Sequence, residues 1–384
     1  MRAELEPATR PGPYPVHAIR PREWADEGVT MRRNKALSIT ALLGATVLGL
    51  TACSAGTAAP AAQETSAGAG AGGAADSGPA DTTFKIAFNQ GETHPQFVAL
   101  DEMGDRIKER TEGRYDVEVF PNETLGAQRE TIELVQSATI EMAMIGGPLL
   151  ENFNTDFVVL NLPFLFESQE QQASFLNDPE VVGDLYSSLD EQNIHVMGGF
   201  HGGVRNLYNS QKPINTPADL AGMKIRIIES DTNIEMMRLM GGTGTPMGQG
   251  EVYTAIQSGV LDGAENNELI YSDLKHAEIA PYYSYTRHLM FPDYLIVNPG
   301  VFDGLSQEDQ DVFTEELATA IEEADAGFVA QVETATESAE AAGAQFNEVE
   351  DADAFREAVA PLNESKLTSD LTREIYSKIQ AAGE

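Results

Sequence analysis

The chain has 384 residues, of which 24 are basic and 61 acidic, a formal net charge of -37. Such an acidic balance excludes the basic surface of a nucleic-acid-binding protein and argues against docking on anionic lipid by charge. A single cysteine excludes an internal disulfide framework and a thiolate metal cluster, while a 42% apolar fraction is enough for a sizeable core.

Residues 1–30 precede a complete export signal, and the expectation is that Met31 is the true start. Arg32, Arg33 and Lys35 are followed by an apolar run over 36–50 and then by Leu50-Thr51-Ala52-Cys53. A basic segment, a short apolar segment and small residues at a cleavage point are the parts of a secretory signal. The run is too short to span a bilayer as a helix. The last four residues resemble a bacterial lipobox, so residues 31–53 are read as a lipoprotein signal with Cys53 as the acylated residue. Removing 1–53 would take away 7 basic and 5 acidic groups and the only tryptophan, Trp24, leaving a charge of -39. Charge of that size outside a cell reads as solubility. Residues 54–81 are mostly Ala, Gly, Ser and Thr, too apolar-poor to order themselves, and read as a flexible tether.

Residues 84–89 alternate apolar and polar, which predicts a strand. In 95–111, Phe97, Leu100, Met103 and Ile107 recur at helical spacing. A strand over 115–120, a helix over 126–139 and a strand over 141–145 complete an alternating pattern that predicts parallel pairing and an α/β fold. Segments 194–200 and 204–209 read as extended. Thr216 and Pro217 open a short helix. A strand follows over 224–229, then helices over 233–240 and 251–257. Residues 306–342 are almost free of Gly and Pro, and a helix of that length spans about 55 Å. That exceeds one domain, so the helix is expected to support two.

Enzyme motifs are absent from the sequence. It has no Gly-Lys pair for a phosphate loop and no Gly-x-Ser-x-Gly elbow. Gly241-Gly242-Thr243-Gly244 follows a helix rather than a strand, unlike a dinucleotide fingerprint. None of the six histidines has His-x-x-x-His spacing, and no cofactor or metal is expected. Against the acidic background, 204–226 holds Arg205, Lys212, Lys224 and Arg226 with only Asp219, a local +3. An anion site in an acidic chain needs such an island; the alternative is that these cations pair with nearby acids.

Those residues also carry a resemblance. Gly203-Val204-Arg205-Asn206, Lys212-Pro213-Ile214 and the run from Pro217 through Lys224-Ile225-Arg226 resemble the DctP-type solute-binding proteins of TRAP transporters. Thr245-Pro246-Met247, Glu251-Val252-Tyr253, Ala255-Ile256-Gln257-Ser258-Gly259, Leu261-Asp262-Gly263-Ala264-Glu265-Asn266, His288 and Leu162-Pro163-Phe164-Leu165-Phe166 follow the same pattern, over roughly 82–350. The resemblance implies a two-lobed α/β fold of the periplasmic-binding-protein type (type II) with a long helix through both lobes. Lobe I is expected from 82–202 plus about 291–330, and lobe II with the C-terminal helices from 203–290 plus about 331–384. It implies a receptor that delivers an organic acid to TRAP permease subunits; with the lipobox and the acidic charge, the expectation is a monomer lipid-anchored through Cys53 on the outer face of the cell membrane, with no nucleic-acid partner. It assigns the ligand carboxylate to Arg226, with Arg205 and Asn266 as further contacts.

In the first lobe, Asn89, Gln90, Glu92 and His94 follow the first strand, where a cleft ligand would lie. Gly146 and Gly147 follow the third and would let backbone N–H groups approach. Sialic-acid-binding relatives place a glutamate and an arginine near there, whereas this chain has Gly146 and Leu149. His288 matches a family histidine near the cleft, and Phe164 is read as core. Lys85 and His94 are the only cations read in the first-lobe loops. Glu92 and Glu265 would accept hydrogen bonds from hydroxyls and repel a second acid group, which favours a hexuronate-like sugar acid over a C4-dicarboxylate. The alternatives are an ABC-type binding lipoprotein and an exported hydrolase, for which Glu92 and Glu265 are the only acid–base candidates.

Overall fold

The computed structural model describes residues 82–382. The export signal, Cys53 and the segment 54–81 lie outside the described residues. In chain order come β1 (Thr82–Ala87), α1 (Pro95–Arg110), β2 (Tyr115–Phe120), α2 (Gln128–Gln136), β3 (Met142–Gly146), short 3₁₀ helices over Gly147–Asn152 and Thr155–Asn161, α3 (Gln169–Leu176), α4 (Pro179–Tyr186) and β4 (His195–His201). The chain then crosses to β5 (Arg205–Asn209), β6 (Lys224–Ile227), α5 (Asp231–Leu239), β7 (Thr243–Pro246), α6 (Val252–Gln257), β8 (Gly263–Asn266), α7 (Glu268–Asp273) and β9 (Tyr282–Leu289). It returns through β10 (Pro292–Val297) and α8 (Pro299–Phe302), runs along α9 (Gln307–Ala341), and ends in β11 (Gln345–Glu348), α10 (Ala352–Lys366) and α11 (Asp370–Ala382).

Two mixed sheets result, in the orders β2-β1-β3-β10-β4 and β11-β9-β5-β8-β6-β7, each the centre of one lobe. The parallel pairing predicted for the first three strands is present, because α1 and α2 are the crossovers that parallel neighbours require. Strand β10 is antiparallel to both β3 and β4. Gly104 permits α1 to lie close on β2, since a Cβ there would stand 2.9 Å from the Val117 carbonyl oxygen.

The chain passes between lobes at 202–204, at 290–291, along α9 and again between α10 and α11. Gly203 sits at φ 82°, and a Cβ on it would fall 2.5 Å from Asn267 Nδ2 and 2.7 Å from Phe328 Cζ. Only glycine fits that crossing. The predicted long helix is present as 35 residues, about 52 Å. Its first half packs on α1 through an arginine–acid ladder: Arg106 to Glu316 at 2.6 Å and Glu323 at 3.0 Å, Arg110 to Glu315 at 2.7 Å, and Arg114 to Asp309 at 2.6 Å. Its second half packs on α7 of the other lobe. Phe328, 2% exposed, lies between the halves against His94, His201 and Leu269.

The helix expected to open at Thr216 is one turn, Pro217–Leu220. Strands β7 and β8 are four residues each and lack a β-branched or aromatic run, Thr-Gly-Thr-Pro and Gly-Ala-Glu-Asn, so the sequence pattern does not show them. The C-terminal helices divide: α10 packs on α5 and β9, while α11 turns back to the first lobe. There Lys378 Nζ donates to the Glu180 carbonyl at 2.7 Å, and Ile375 and Ile379 are fully buried. The boundary drawn from sequence kept 331–384 with the second lobe; the two isoleucines on one face of α11 are what draw it across. Among the described residues no helix is long and apolar enough to cross a membrane.

Truncating Phe328 to Ala removes the packing shared by both lobes. The expected cost is about 3–5 kcal/mol of stability, read as a lowered denaturant midpoint by circular dichroism; a loss under about 1 kcal/mol would contradict the bridging role.

Candidate functional site

The second sheet brings β5 with Arg205 and β6 with Arg226 to either side of β8. Strand β5 pairs Leu207 with Glu265 and Asn206 with Asn266, while β6 pairs Arg226 with Ala264. The central strand therefore delivers its glutamate to one arginine and its asparagine to the space between them. Arg205 Nε and Nη2 form a two-pronged pair with the Glu265 carboxylate, Nη2 also donates to the Glu265 carbonyl at 2.8 Å, and Nη1 donates to Asn266 Oδ1 at 2.8 Å. The guanidinium lies 4.4 Å from the Phe291 ring centroid. Burial pulls the Arg205 pKa down, but Glu265 outweighs it and the net shift is upward.

Arg226 is different. It is 4% exposed, its Nε donates to the Met247 carbonyl at 2.8 Å and its Nη1 to Gln249 Oε1 at 3.4 Å. Among the described residues it has no carboxylate partner. Burial lowers its pKa; Glu265 opposes that and Arg205 adds to it. Of the four cations of the basic island, Arg205 is paired with Glu265, Lys212 is paired with Asp219 at 2.8 Å, and Lys224 faces solvent. Among the described residues of the island, Arg226 alone is buried without an ion-pair partner.

A cavity between the lobes is walled on the second-lobe side by Arg205, Arg226, Gln249, Asn266 and Asn267, and on the first-lobe side by Asn89, Gln90, His94, Glu123, Arg129 and Asp293. Of the residues singled out in the sequence, Arg226, Arg205, Asn266, Asn89 and His94 share this wall. Asn266 spends its Oδ1 on Arg205 and on the Asn267 N–H, leaving its Nδ2 without a partner among the described residues. Gln249 Nε2 is likewise buried without one. His94 caps α1 by accepting from Gln96 N at 3.3 Å, and burial lowers its pKa to about 4, so its ring is neutral at pH 7.

Four expected site residues are elsewhere. Glu92 is exposed and does not line the cavity. Glu265 is fully buried behind Arg205 and already spent on it. An acid–base pair of Glu92 and Glu265, the basis of the hydrolase alternative, is therefore not assembled. Gly147 is a packing position, where a Cβ would stand 2.8 Å from the Pro292 carbonyl oxygen, and the Gly146 N–H is spent on Gln128 Oε1 at 2.9 Å. His288 lies behind the wall, with Nδ1 at 2.9 Å from Thr286 Oγ1 and Nε2 3.8 Å from Glu265 Oε2. Phe164 packs in the core beneath Arg356, as read.

The sequence reading missed Glu123, Arg129, Gln249, Phe291 and Asp293. Arg129 was visible as a cation in the first turn of a predicted helix, whereas Asp293 looks like one polar residue in an apolar strand. The lobes also touch directly. Glu151 accepts from Ser230 Oγ at 3.0 Å and Thr232 Oγ1 at 2.7 Å, Arg129 reaches Glu229 at 3.3 Å, and the Gly250 N–H donates to Glu123.

The buried histidines set the acid response. His94, His201, His276 and His288 all have pKa values lowered by burial to about 4, while Asp293 and Asp325 are raised by burial to about 6. As pH falls from 6.5 to 4 the unfolded histidines take up protons that the folded ones refuse, which costs stability; the two aspartates oppose this from about 6 downward. Glu123, Glu151, Glu268 and Asp273, also raised by burial, add to that opposition, so the direct check is the titration of the imidazole signals by NMR: the four buried rings are expected to stay neutral down to about pH 5. A buried ring that takes up its proton near pH 6.5 would refute the assignment of neutral imidazoles.

A family model described as "Bacterial extracellular solute-binding protein, family 7" matches residues 86–369. Among solved structures, a TRAP periplasmic solute-binding protein from Anaerococcus prevotii with bound α/β-D-glucuronate is 37% identical, covers 78% of this chain and 97% of its own, and superposes with a TM-score of 0.76. One from Xanthobacter autotrophicus with bound β-D-galacturonate is 30% identical, covers 78% and 99%, and has a TM-score of 0.74. The 2,3-diketo-L-gulonate-binding periplasmic protein YiaO of Escherichia coli is 31% identical over 63% of this chain and 72% of that protein. Two lobes closing over an arginine-walled cavity are what such receptors need, and the chain belongs to the DctP-type, family 7 bacterial extracellular solute-binding proteins that serve TRAP transporters.

Proposed function

We propose that the chain is a lipid-anchored extracytoplasmic receptor, tethered through Cys53, that binds a hexuronate-like sugar acid and hands it to the ion-gradient-driven permease subunits of a TRAP transporter. The observation that carries the ligand class is Arg226, a buried guanidinium that faces the cavity without a counter-ion. A carboxylate entering the cleft supplies the missing charge, and the planar fork receives it with two hydrogen bonds. Asn266 Nδ2 and the buried Gln249 Nε2, both without an acceptor among the described residues, are donors for the same end of the ligand. Arg205, already neutralised by Glu265, shapes the wall and keeps Asn266 in place. The uronates bound by the solved relatives support a sugar acid over a C4-dicarboxylate.

Closure follows from the same chemistry. The open cleft leaves Arg226 hydrated, and a bound acid meets first-lobe groups on one side and Arg226 on the other, so burial of the ion pair favours the closed form.

Two substitutions separate binding from folding. Arg226→Met removes a buried charge that has no partner, so the unliganded protein is expected to melt at the same temperature or higher, while D-glucuronate affinity falls roughly 100-fold, about 2.8 kcal/mol. Arg226→Lys keeps the charge but loses the fork and is expected to weaken binding as well. Isothermal titration calorimetry and dye-based melting read both; undiminished binding by Arg226→Met would refute the anchor.

A further inference from the structure

The cavity wall holds more negative charge than an anion site requires. Arg205 is balanced by Glu265 and Arg129 by Glu229, so among the described residues Arg226 is the one cation of the wall without an ion-pair partner, with Glu265 and Glu123 acting on it only at longer range. Facing the same cavity are two further carboxylates, Asp293 and Glu123. Asp293 enters from β10, opposite Gly146 and Phe200 in the ladder. Its Oδ2 accepts from Gln96 Nε2 at 3.0 Å, and the same amide donates to the His201 carbonyl at 3.3 Å, so the first turn of α1 fixes the carboxylate in place. Asp293 Oδ1 has no partner among the described residues. Glu123 is held from across the cleft by the Gly250 N–H.

One open cation takes one carboxylate. Two fixed carboxylates in the remaining wall accept hydrogen bonds from hydroxyls and repel a second anionic group. This is the task that the sequence reading gave to Glu92 and Glu265, performed by different residues. We propose that Asp293 is the specificity-determining residue of the cleft, accepting ligand hydroxyls through Oδ1 and, together with Glu123, turning away acids that carry a second carboxylate. The proposal rests on the reading of Arg226 as the carboxylate anchor. It adds the selection at the other end of the ligand: a polyhydroxylated monocarboxylate is admitted and the corresponding aldarate is not.

Burial raises the Asp293 carboxyl to about 6, against a hydrogen bond from Gln96 and the nearby Arg205 charge. The group is therefore ionised at neutral pH and neutral in mild acid. Arg205 is the charged group that acts on it; Glu123 and His94 share its cavity wall, and behind it Gln96 links it to His201, whose backbone N–H reaches Asp325 on α9. Both histidines are lowered to about 4 and stay uncharged down to pH 5, whereas Asp325, raised to about 6 outside the cavity, titrates alongside Asp293.

The test is calorimetric titration of the full chain with D-glucuronate and with D-glucarate, which carries a carboxylate where glucuronate has its hemiacetal carbon. The wild-type protein is expected to prefer glucuronate by roughly 100-fold. Asp293→Asn is expected to weaken glucuronate roughly tenfold and to narrow the preference roughly tenfold, with no fall in the melting temperature of the free protein. Glu123→Gln is expected to narrow the preference in the same direction. A merely structural role would weaken both acids alike and leave the ratio unmoved. Should Asp293→Asn fail to fold, the wild-type ratio measured at about pH 7.5 and about pH 5 carries the test, since protonating Asp293 is expected to narrow it. An unchanged ratio in Asp293→Asn, or across pH, overturns this proposal and leaves the anchor standing. A wild-type protein that binds neither acid overturns the sugar-acid reading and this proposal with it.

Discussion

A guanidinium taken out of water without a counter-ion is costly, and the second lobe is arranged around one. Arg226 is held by the Met247 carbonyl and by Gln249, neutral groups that orient it without cancelling its charge. Its neighbour Arg205 is treated in the opposite way, saturated by Glu265 and laid over Phe291. The pair of arginines thus contributes one net positive charge to the wall. In a chain of net charge -37, long-range attraction does not bring an anion in; exposed charges are screened beyond about 8–10 Å in physiological salt. Selection for an acid is local, and it is made by a single side chain that the fold leaves unsatisfied.

The position of that side chain depends on strand order. Because β8 lies between β5 and β6, Glu265 and Asn266 are adjacent in sequence yet do different work, one neutralising Arg205 and the other presenting an amide beside it. Opposite them stand the ends of first-lobe strands and the first turns of α1 and α2. The crossing at Gly203 and the long helix through Phe328 fix how the two sides meet.

Much of this was legible in the sequence, and the boundary is physical. The long helix showed itself because 306–342 has almost no breakers, and the one glycine within it, Gly327, serves close packing against Pro95. Arg226 and Arg205 were visible as an island of charge, but their difference was not, since Arg205 finds its partner 60 residues away. Glu92 was placed in the cleft by its closeness to Asn89, yet one turn of loop carries it to the surface. Asp293 left no trace in the pattern because it is the one half-buried position in an otherwise buried strand, between Pro292 and Tyr294. Direction of a side chain, more than identity, is what a linear pattern lacks.

The contacts between the lobes have a consequence of their own. Glu151 joined to Ser230 and Thr232, and Arg129 joined to Glu229, link the two halves through protein groups alone. Part of the free energy of closing is therefore supplied by the protein, and the affinity measured for a ligand includes it. Residues that never meet the ligand can then set how tightly it is held, while the cavity wall sets which ligand it is. Strength and choice are separable in such a receptor: a lineage can adapt to scarcer or richer surroundings by changing the seam between its lobes, with the recognition chemistry left intact.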